Sequence, residues 1–277
     1  MKRSIIIITI FMVCLMLSNS KHSLAGPSGG VIIAPKFGGK INIDGELEEW
    51  QLQLFSDDNK IVLTKKNGFI NTGTIDNDND FSAIVYALYD DDNLYLAAEV
   101  TDDAIDKGNA GGNNWQNDCI EIWIDGANDA GTMTDRGGND PDNYQLNVDV
   151  KGEPWVYRND DAQNILKQIS ASAKVVGTNY TLEVLIPFAA IEELDLKKGS
   201  IGFSISFVDS DKSVWNHILW QGEIEHEPSQ WGDLNLSSKA LAVNLSDKLS
   251  ITWGRLKRTG QVCETCLGEF GFSSRNQ

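Results

Sequence analysis

The chain has 277 residues, with 40 Asp and Glu against 23 Lys and Arg, a formal net charge of −17 and a pI near 4.5. A chain this acidic repels nucleic-acid phosphates and anionic membranes, which argues against both as partners, and it favours cations and neutral ligands. Its cysteines (Cys14, Cys119, Cys263 and Cys266) are too few for a disulfide framework, and the single CxxC lacks the second pair that a zinc site needs.

In chain order, Lys2 and Arg3 precede an apolar run, Ser4–Leu17, and Ser23-Leu24-Ala25 reads as a small-residue cleavage site. Residues 1–25 therefore predict a signal peptide, and a secreted or periplasmic product that begins near Gly26. The run is too short to span a bilayer, and no other segment is apolar enough for membrane insertion. Losing Lys2, Arg3 and Lys21 with the signal makes the remaining chain more acidic still.

Strand signals then dominate. Val31–Pro35, Lys60–Lys65, Ser82–Tyr89, Asn93–Thr101, Cys119–Asp125, Tyr144–Val150, Ile169–Val176, Tyr180–Ile186 and Ile201–Val208 are short, rich in β-branched and aromatic residues, and bounded by Gly, Asn or Asp. Asp90-Asp91-Asp92-Asn93 reads as a hairpin turn, and Phe188–Leu194, after Pro187, as the one helical turn. Regularly spaced strands with almost no helix predict an all-β fold, an antiparallel β-sandwich of immunoglobulin or jelly-roll type. Residues 66–80, 102–118 and 126–142 form long acidic loops, a length that suits ligand binding. The sandwich is expected over residues 26–236. Residues 237–277 read as an extension or linker, with one possible strand, Leu249–Trp253, a basic stretch, Arg255-Leu256-Lys257-Arg258, and Cys263 and Cys266 as a local disulfide.

Alternation along two strands assigns their faces. Ile120, Ile122 and Ile124 share one face, as do Tyr144, Leu146, Val148 and Val150, and these predict core. The other faces carry Trp115, Asn117, Cys119, Glu121 and Trp123, and Gln145, Asn147 and Asp149. Trp, Glu, Gln and Asn on one surface suit a neutral sugar, whose C–H face covers an aromatic ring while amides and a carboxylate take its hydroxyls. Thr101-Asp102-Asp103-Ala104-Ile105-Asp106 follows a strand directly and offers the hard oxygens that Ca2+ prefers. Asp76-Asn77-Asp78-Asn79-Asp80 starts like an EF-hand loop, but Phe81 and Ala87 stand where that loop needs its glycine and glutamate. Catalytic signatures (HExxH, GxSxG, a Walker loop) are absent, and no carboxylate pair stands out for glycoside hydrolysis, so an enzyme is not expected.

Several motifs, taken in order, resemble the family 9 carbohydrate-binding modules, within the DOMON-like β-sandwiches. They are Ile43-Asp44-Gly45-Glu46 with Trp50, Leu88-Tyr89-Asp90 with Leu94-Tyr95-Leu96, Val100-Thr101-Asp102, Asn114-Trp115-Gln116-Asn117-Asp118 with Ile120–Asp125, Tyr180–Pro187, Ile201-Gly202-Phe203, and Pro228–Leu234. The resemblance implies a sandwich that binds oligosaccharide or polysaccharide, often at chain ends, carries structural calcium and works beside glycoside hydrolase domains. It implies Trp115 as one of two stacking tryptophans and Glu121 as a polar contact, with Gln145, where the family has an arginine, and Asn147 beside them. It also implies Asp102 and Asp106 as calcium ligands. The second stacking tryptophan would lie just before Pro228. This chain instead has Ile224-Glu225-His226-Glu227, so Glu225 takes that place, and Trp155, Tyr157 and Trp215 are the candidates for a replacement wall. Two other readings follow from the altered wall and from the broader group: an adhesion or assembly sandwich without the sugar site, and a haem-binding electron-transfer domain. For the latter, Met133 is the one methionine left after the signal.

Overall fold

The computed structural model describes residues 29–131, 142–157, 162–211, 214–221, 226–239 and 241. They form thirteen strands: β1 (Val31–Pro35), β2 (Lys60–Leu63), β3 (Phe69–Thr72), β4 (Phe81–Tyr89), β5 (Asn93–Asp102), β6 (Cys119–Asp125), β7 (Asn143–Asp149), β8 (Pro154–Tyr157), β9 (Ser170–Val176), β10 (Asn179–Pro187), β11 (Ser200–Asp211), β12 (Val214–Leu219) and β13 (Gly232–Ser237). A short helix, α1 (Ala162–Leu166), and several single 3-10 turns complete the elements. The signal segment, Met133 and the Cys263–Cys266 pair lie outside the described residues, among which no helix is long and apolar enough to cross a membrane.

The strands make two sheets. One has the order β2-β4-β5-β10-β9, all antiparallel. The other runs β1-β13-β11-β6-β7-β8, with β12 and then β3 added beside β11. The twelve-residue β11 makes this possible: Ser200–Phe203 pairs with β13 and Ser206–Asp211 pairs with β12, on the same flank, while β6 occupies the other. The all-β sandwich is as expected, with one correction: β1 and β13 pair in parallel, so this sheet is mixed. β3 lies inside the segment read as the 66–80 loop. β8, β12 and α1 carry no expectation from the sequence, being too short to show a period. The turn after Pro187 shrinks to Phe188–Ala190.

Alternation builds the core. Ile120, Ile122 and Ile124 of β6, Tyr144, Leu146 and Val148 of β7, and Ile201, Phe203, Ile205 and Phe207 of β11 face β4, β5 and β10. Those strands answer with Phe81, Ala83, Val85 and Ala87, with Leu94, Leu96, Ala98 and Val100, and with Tyr180, Leu182, Val184 and Ile186.

The outer face of the five-stranded sheet is buried as well. Tyr86, Leu88, Tyr95 and Ala97 pack under Ile41, Trp50 and Phe55 from the segment before β2. Glu183, on that face of β10, is fully buried and accepts hydrogen bonds from Trp50 Nε1 (2.7 Å), Gly45 N (2.7 Å) and Asp44 N (2.9 Å). This gives the Ile43-Asp44-Gly45…Trp50 pattern its physical reason. Gly45 sits at φ +86°, and a Cβ there would meet the Ala173 backbone at 2.9 Å.

Truncating Trp50 to alanine empties this second cluster and removes one of three donors from a buried carboxylate. The expected loss is about 3–5 kcal/mol in urea unfolding. A loss under about 1 kcal/mol would show that the covering segment does not pack this way.

Candidate functional site

Directly opposed residues of a ladder share a face, so register alone assembles the outer surface of the larger sheet. One row reads Tyr157, Gln145, Trp123, Ser204; the next reads Trp155, Asn147, Glu121, Ser206; a third reads Asp149, Cys119, Val208, His217. This is the polar surface anticipated from β6 and β7. It is not a solvated face, however. Glu121, Asn147, Ser206 and His217 are all buried, and Cys119 is a buried free thiol.

The side chains form one network. Glu121 Oε1 accepts from Gln145 Nε2 and Asn147 Nδ2, each at 3.1 Å, and Oε2 accepts from Ser206 Oγ at 2.8 Å and His217 Nε2 at 3.0 Å. Gln145 Nε2 also donates to Asn147 Oδ1 at 2.8 Å, and Trp123 Nε1 donates to Ser206 Oγ at 3.0 Å. Because a carboxylate only accepts, His217 must present an N–H at Nε2, and its Nδ1 lies 3.3 Å from Asn71 Nδ2. Burial alone would push the Glu121 carboxyl up. The charge and hydrogen bond of His217, with Ser206 and Asn147 as further donors, hold it below the usual carboxylate range instead.

Above this floor is a cavity of about 240 Å³, lined by Trp115, Glu121, Trp123, Gln145, Tyr157, Trp215, His217 and His226. That is below the roughly 300–1,000 Å³ of sites for drug-sized ligands, and it suits one sugar ring. Trp115 rides on a 3-10 turn, Gly111–Gln116, and is 36% exposed. Its ring meets Trp215 edge-on, with centroids 6.0 Å apart and planes at 89°, while Trp215 stacks on His217 at 5.1 Å. Two stacking contacts of about 3.5–4.0 Å would need parallel walls about 7–8 Å apart. Trp115 and Trp215 therefore make a corner and not a clamp. A second cavity, of about 410 Å³, lies along the same pair, with Asp106, Asn109, Gln116 and Ser210.

Of the residues singled out from sequence, the structure brings Trp115, Glu121, Gln145 and Asn147 together, although Asn147 lies under the cavity floor. Glu225 lies outside the described residues. Among the replacement walls, Trp215 and Tyr157 line the cavity, whereas Trp155 packs against Gly111 and Gly112. Ser206 and His217 escaped the sequence reading. Ser204, Ser206 and Ser210 do alternate with the apolar residues of β11, a usable signal, but His217 joins only through the register of β12.

A carboxylate cluster sits at one rim of the sandwich. Oxygens of Asp102, Asp118 and Asp209 lie within 4.8 Å of one another, and Asp80, Asp103 and Asp211 extend the group. Burial first, then neighbouring carboxylates, push Asp102 up to about 8; burial raises Asp118 and Asp209 to about 7. Asp102 Oδ2 and Asp209 Oδ1 are buried with no partner among the described residues, which fits a hard cation with all-oxygen ligands. Asp106 belongs to none of these groups. Its backbone N–H donates to Asp118 Oδ2 at 2.6 Å, so it supports the cluster from behind. A second trio, Asp125, Asp129 and Asp142, lies at the far end of β6.

The sequence profile of a family described as carbohydrate family 9 binding domain-like matches residues 43–239. Endo-1,4-beta-xylanase A of Thermotoga neapolitana is 25% identical over 213 residues; the match covers 75% of this chain and only 18% of the xylanase. Two solved structures of a family 9 carbohydrate-binding module from Caldicellulosiruptor kristjanssonii share the fold. The cellotriose complex aligns with a TM-score of 0.55 at 19% identity, covering 78% of this chain and 98% of that one. The glucose complex aligns at 0.58 and 18% identity, covering 78% and 100%.

The depressed Glu121 pKa sets a pH dependence. Its stabilising contribution is complete above the ordinary carboxylate range and is lost as pH falls through the folded value. The stability gap between the wild-type chain and Glu121→Gln, from urea unfolding, should narrow between about pH 6 and about pH 3. A gap that stays constant or widens in acid would refute the network as drawn.

Proposed function

The chain belongs to the carbohydrate family 9 binding domain-like family, and we propose that it is a secreted, non-catalytic module that binds saccharide ends in the cavity beside Trp115. The observation that carries this reading is the pairing of an exposed tryptophan with a floor of ordered amides, in a cavity the size of one sugar ring. A pyranose has an apolar C–H face and an equatorial belt of hydroxyls, so it needs a flat aromatic surface on one side and in-plane polar groups at its edge. The corner formed by Trp115 and Trp215 supplies one stacking face at a time. Binding is accordingly weaker than in a two-walled clamp. The xylanase relative supports a role beside glycoside hydrolases in polysaccharide breakdown.

The reading is tested by titrating glucose, cellobiose and xylobiose while following tryptophan fluorescence and heat. Trp115→Ala removes on the order of 100 Å² of apolar contact, about 2.5 kcal/mol before ordering costs, so affinity should fall about ten- to fiftyfold. If no saccharide perturbs the wild-type chain up to tens of millimolar, the reading is wrong.

The same reading includes structural Ca2+ at Asp102, Asp118 and Asp209, with Asp80, Asp103 and Asp211 close enough to complete its shell. The cluster joins the ends of β5 and β11 to the start of β6, so a cation there ties the two sheets together at one rim. Chelation should lower the melting temperature by about 5–10 °C, as expected for losing a ligand held near a hundredfold above its dissociation constant. An unchanged melt would exclude a structural ion. A stoichiometry above one would point to the Asp125, Asp129 and Asp142 trio as well.

A further inference from the structure

The polar floor of the cavity is wired in one direction. Two carboxylate oxygens offer about four lone-pair positions, and on Glu121 all of them are taken. Gln145 and Asn147 hold Oε1, Ser206 and His217 hold Oε2, and every distance lies between 2.8 and 3.1 Å. A sugar hydroxyl would reach Glu121 only by displacing one of these donors. Asn147 is withdrawn for another reason: Nδ2 donates to Glu121 and Oδ1 accepts from Gln145, and the residue is fully buried.

Gln145 differs. The acceptor-only carboxylate forces its amide to turn nitrogen inward, and both Nε2 hydrogens are committed, one to Glu121 and one to Asn147. Its Oε1 accepts no hydrogen bond from the described residues and is not sealed from solvent, and the residue lines the cavity.

We propose that Glu121 is a positioning residue that does not touch the ligand, and that Gln145 Oε1 is the acceptor through which this cavity reads a saccharide hydroxyl. The proposal rests on the saccharide reading above. It reverses the roles that the motif pattern suggests, because the charged group organises the floor and the neutral amide makes the contact. It also sets a chemical preference. An acceptor requires an O–H from the ligand, so replacing the recognised hydroxyl by fluorine or hydrogen should cost equally, whereas a donor on the protein would tolerate fluorine better.

The direct test needs no altered protein in the measurement itself. The side-chain carbonyl carbons of Glu121 and Gln145 are followed by 13C NMR in the full wild-type chain, assigned with Glu121→Gln and Gln145→Leu. The probe is the tightest binder among glucose, galactose, xylose and mannose. The proposal expects the Gln145 signal to move on saturation while the Glu121 signal stays in place. A shift of Glu121 with Gln145 unmoved overturns it. As a second measurement, wild type should lose about tenfold in affinity for one monodeoxy analogue of the sugar, and Gln145→Leu should bind sugar and analogue alike. A tenfold penalty that persists in Gln145→Leu also overturns the proposal. Loss of all saccharide binding by the wild-type chain would be a different failure, since it removes the saccharide reading and this inference with it.

Discussion

A carboxylate taken out of water must have its charge and its lone pairs answered by the protein, and Glu121 imposes that condition on the larger sheet. Its oxygens collect donors from three strands, β7, β11 and β12. None of the four donors is adjacent to it in sequence. They arrive because the ladder register places Ser206 and Asn147 on either side of it and His217 one row away. Removing one donor would leave a buried charge under-satisfied, which costs more than the bond itself contributes. The site is therefore part of the folded framework, and its geometry is fixed before any ligand arrives.

The other sheet solves the same problem with a different cover. Glu183 also faces away from the central core, and it too is fully buried. Its partners come from a non-regular segment that brings two backbone N–H groups and the Trp50 indole. Each sheet thus has an apolar inner face and an outer carboxylate roofed by aromatic side chains. The difference lies in what the roof leaves. Over Glu183 the roof closes with Ile41, Trp50 and Phe55. Over Glu121 the aromatic cover is set at right angles and leaves a cavity.

This contrast explains which features could be read from the sequence. The faces of β6 and β7 were legible because alternation over seven residues has a single consistent solution, and Trp115, Glu121, Gln145 and Asn147 followed from it. Alternation reports which side a residue faces, but not what lies above that side. The burial of Glu121 and Asn147 was therefore hidden, and with it the full occupation of the Glu121 carboxylate. β3, β8 and β12 are four to six residues long, too short for a period to stand out, and β12 is the strand that carries Trp215 and His217. At the acidic rim, Asp102 was legible as the residue ending a strand. The family resemblance implied Asp106 as its partner, whereas Asp118, Asp209 and Asp211 lie beside Asp102 because β5, the start of β6 and the end of β11 converge there.

The loop between β5 and β6 connects that rim to the cavity. Asp118 and Asp106 bond to each other through backbone and carboxylate, and Asn117 closes a second ring with Asn109 while donating to Asp149 at 2.8 Å. Asn114 reaches the Glu153 carbonyl at 3.0 Å and also bonds to Tyr157. These pairs pin both sides of the turn that presents Trp115. Asp118 is thus at once a member of the crowded carboxylate group and a hydrogen-bond anchor of the Trp115 loop. Repulsion among Asp102, Asp118 and Asp209 would fall on that anchor, whereas a cation or a proton relieving it would leave the carboxylate free to hold the loop. The position of Trp115 and the charge balance of the rim are consequently two ends of one hydrogen-bonded segment.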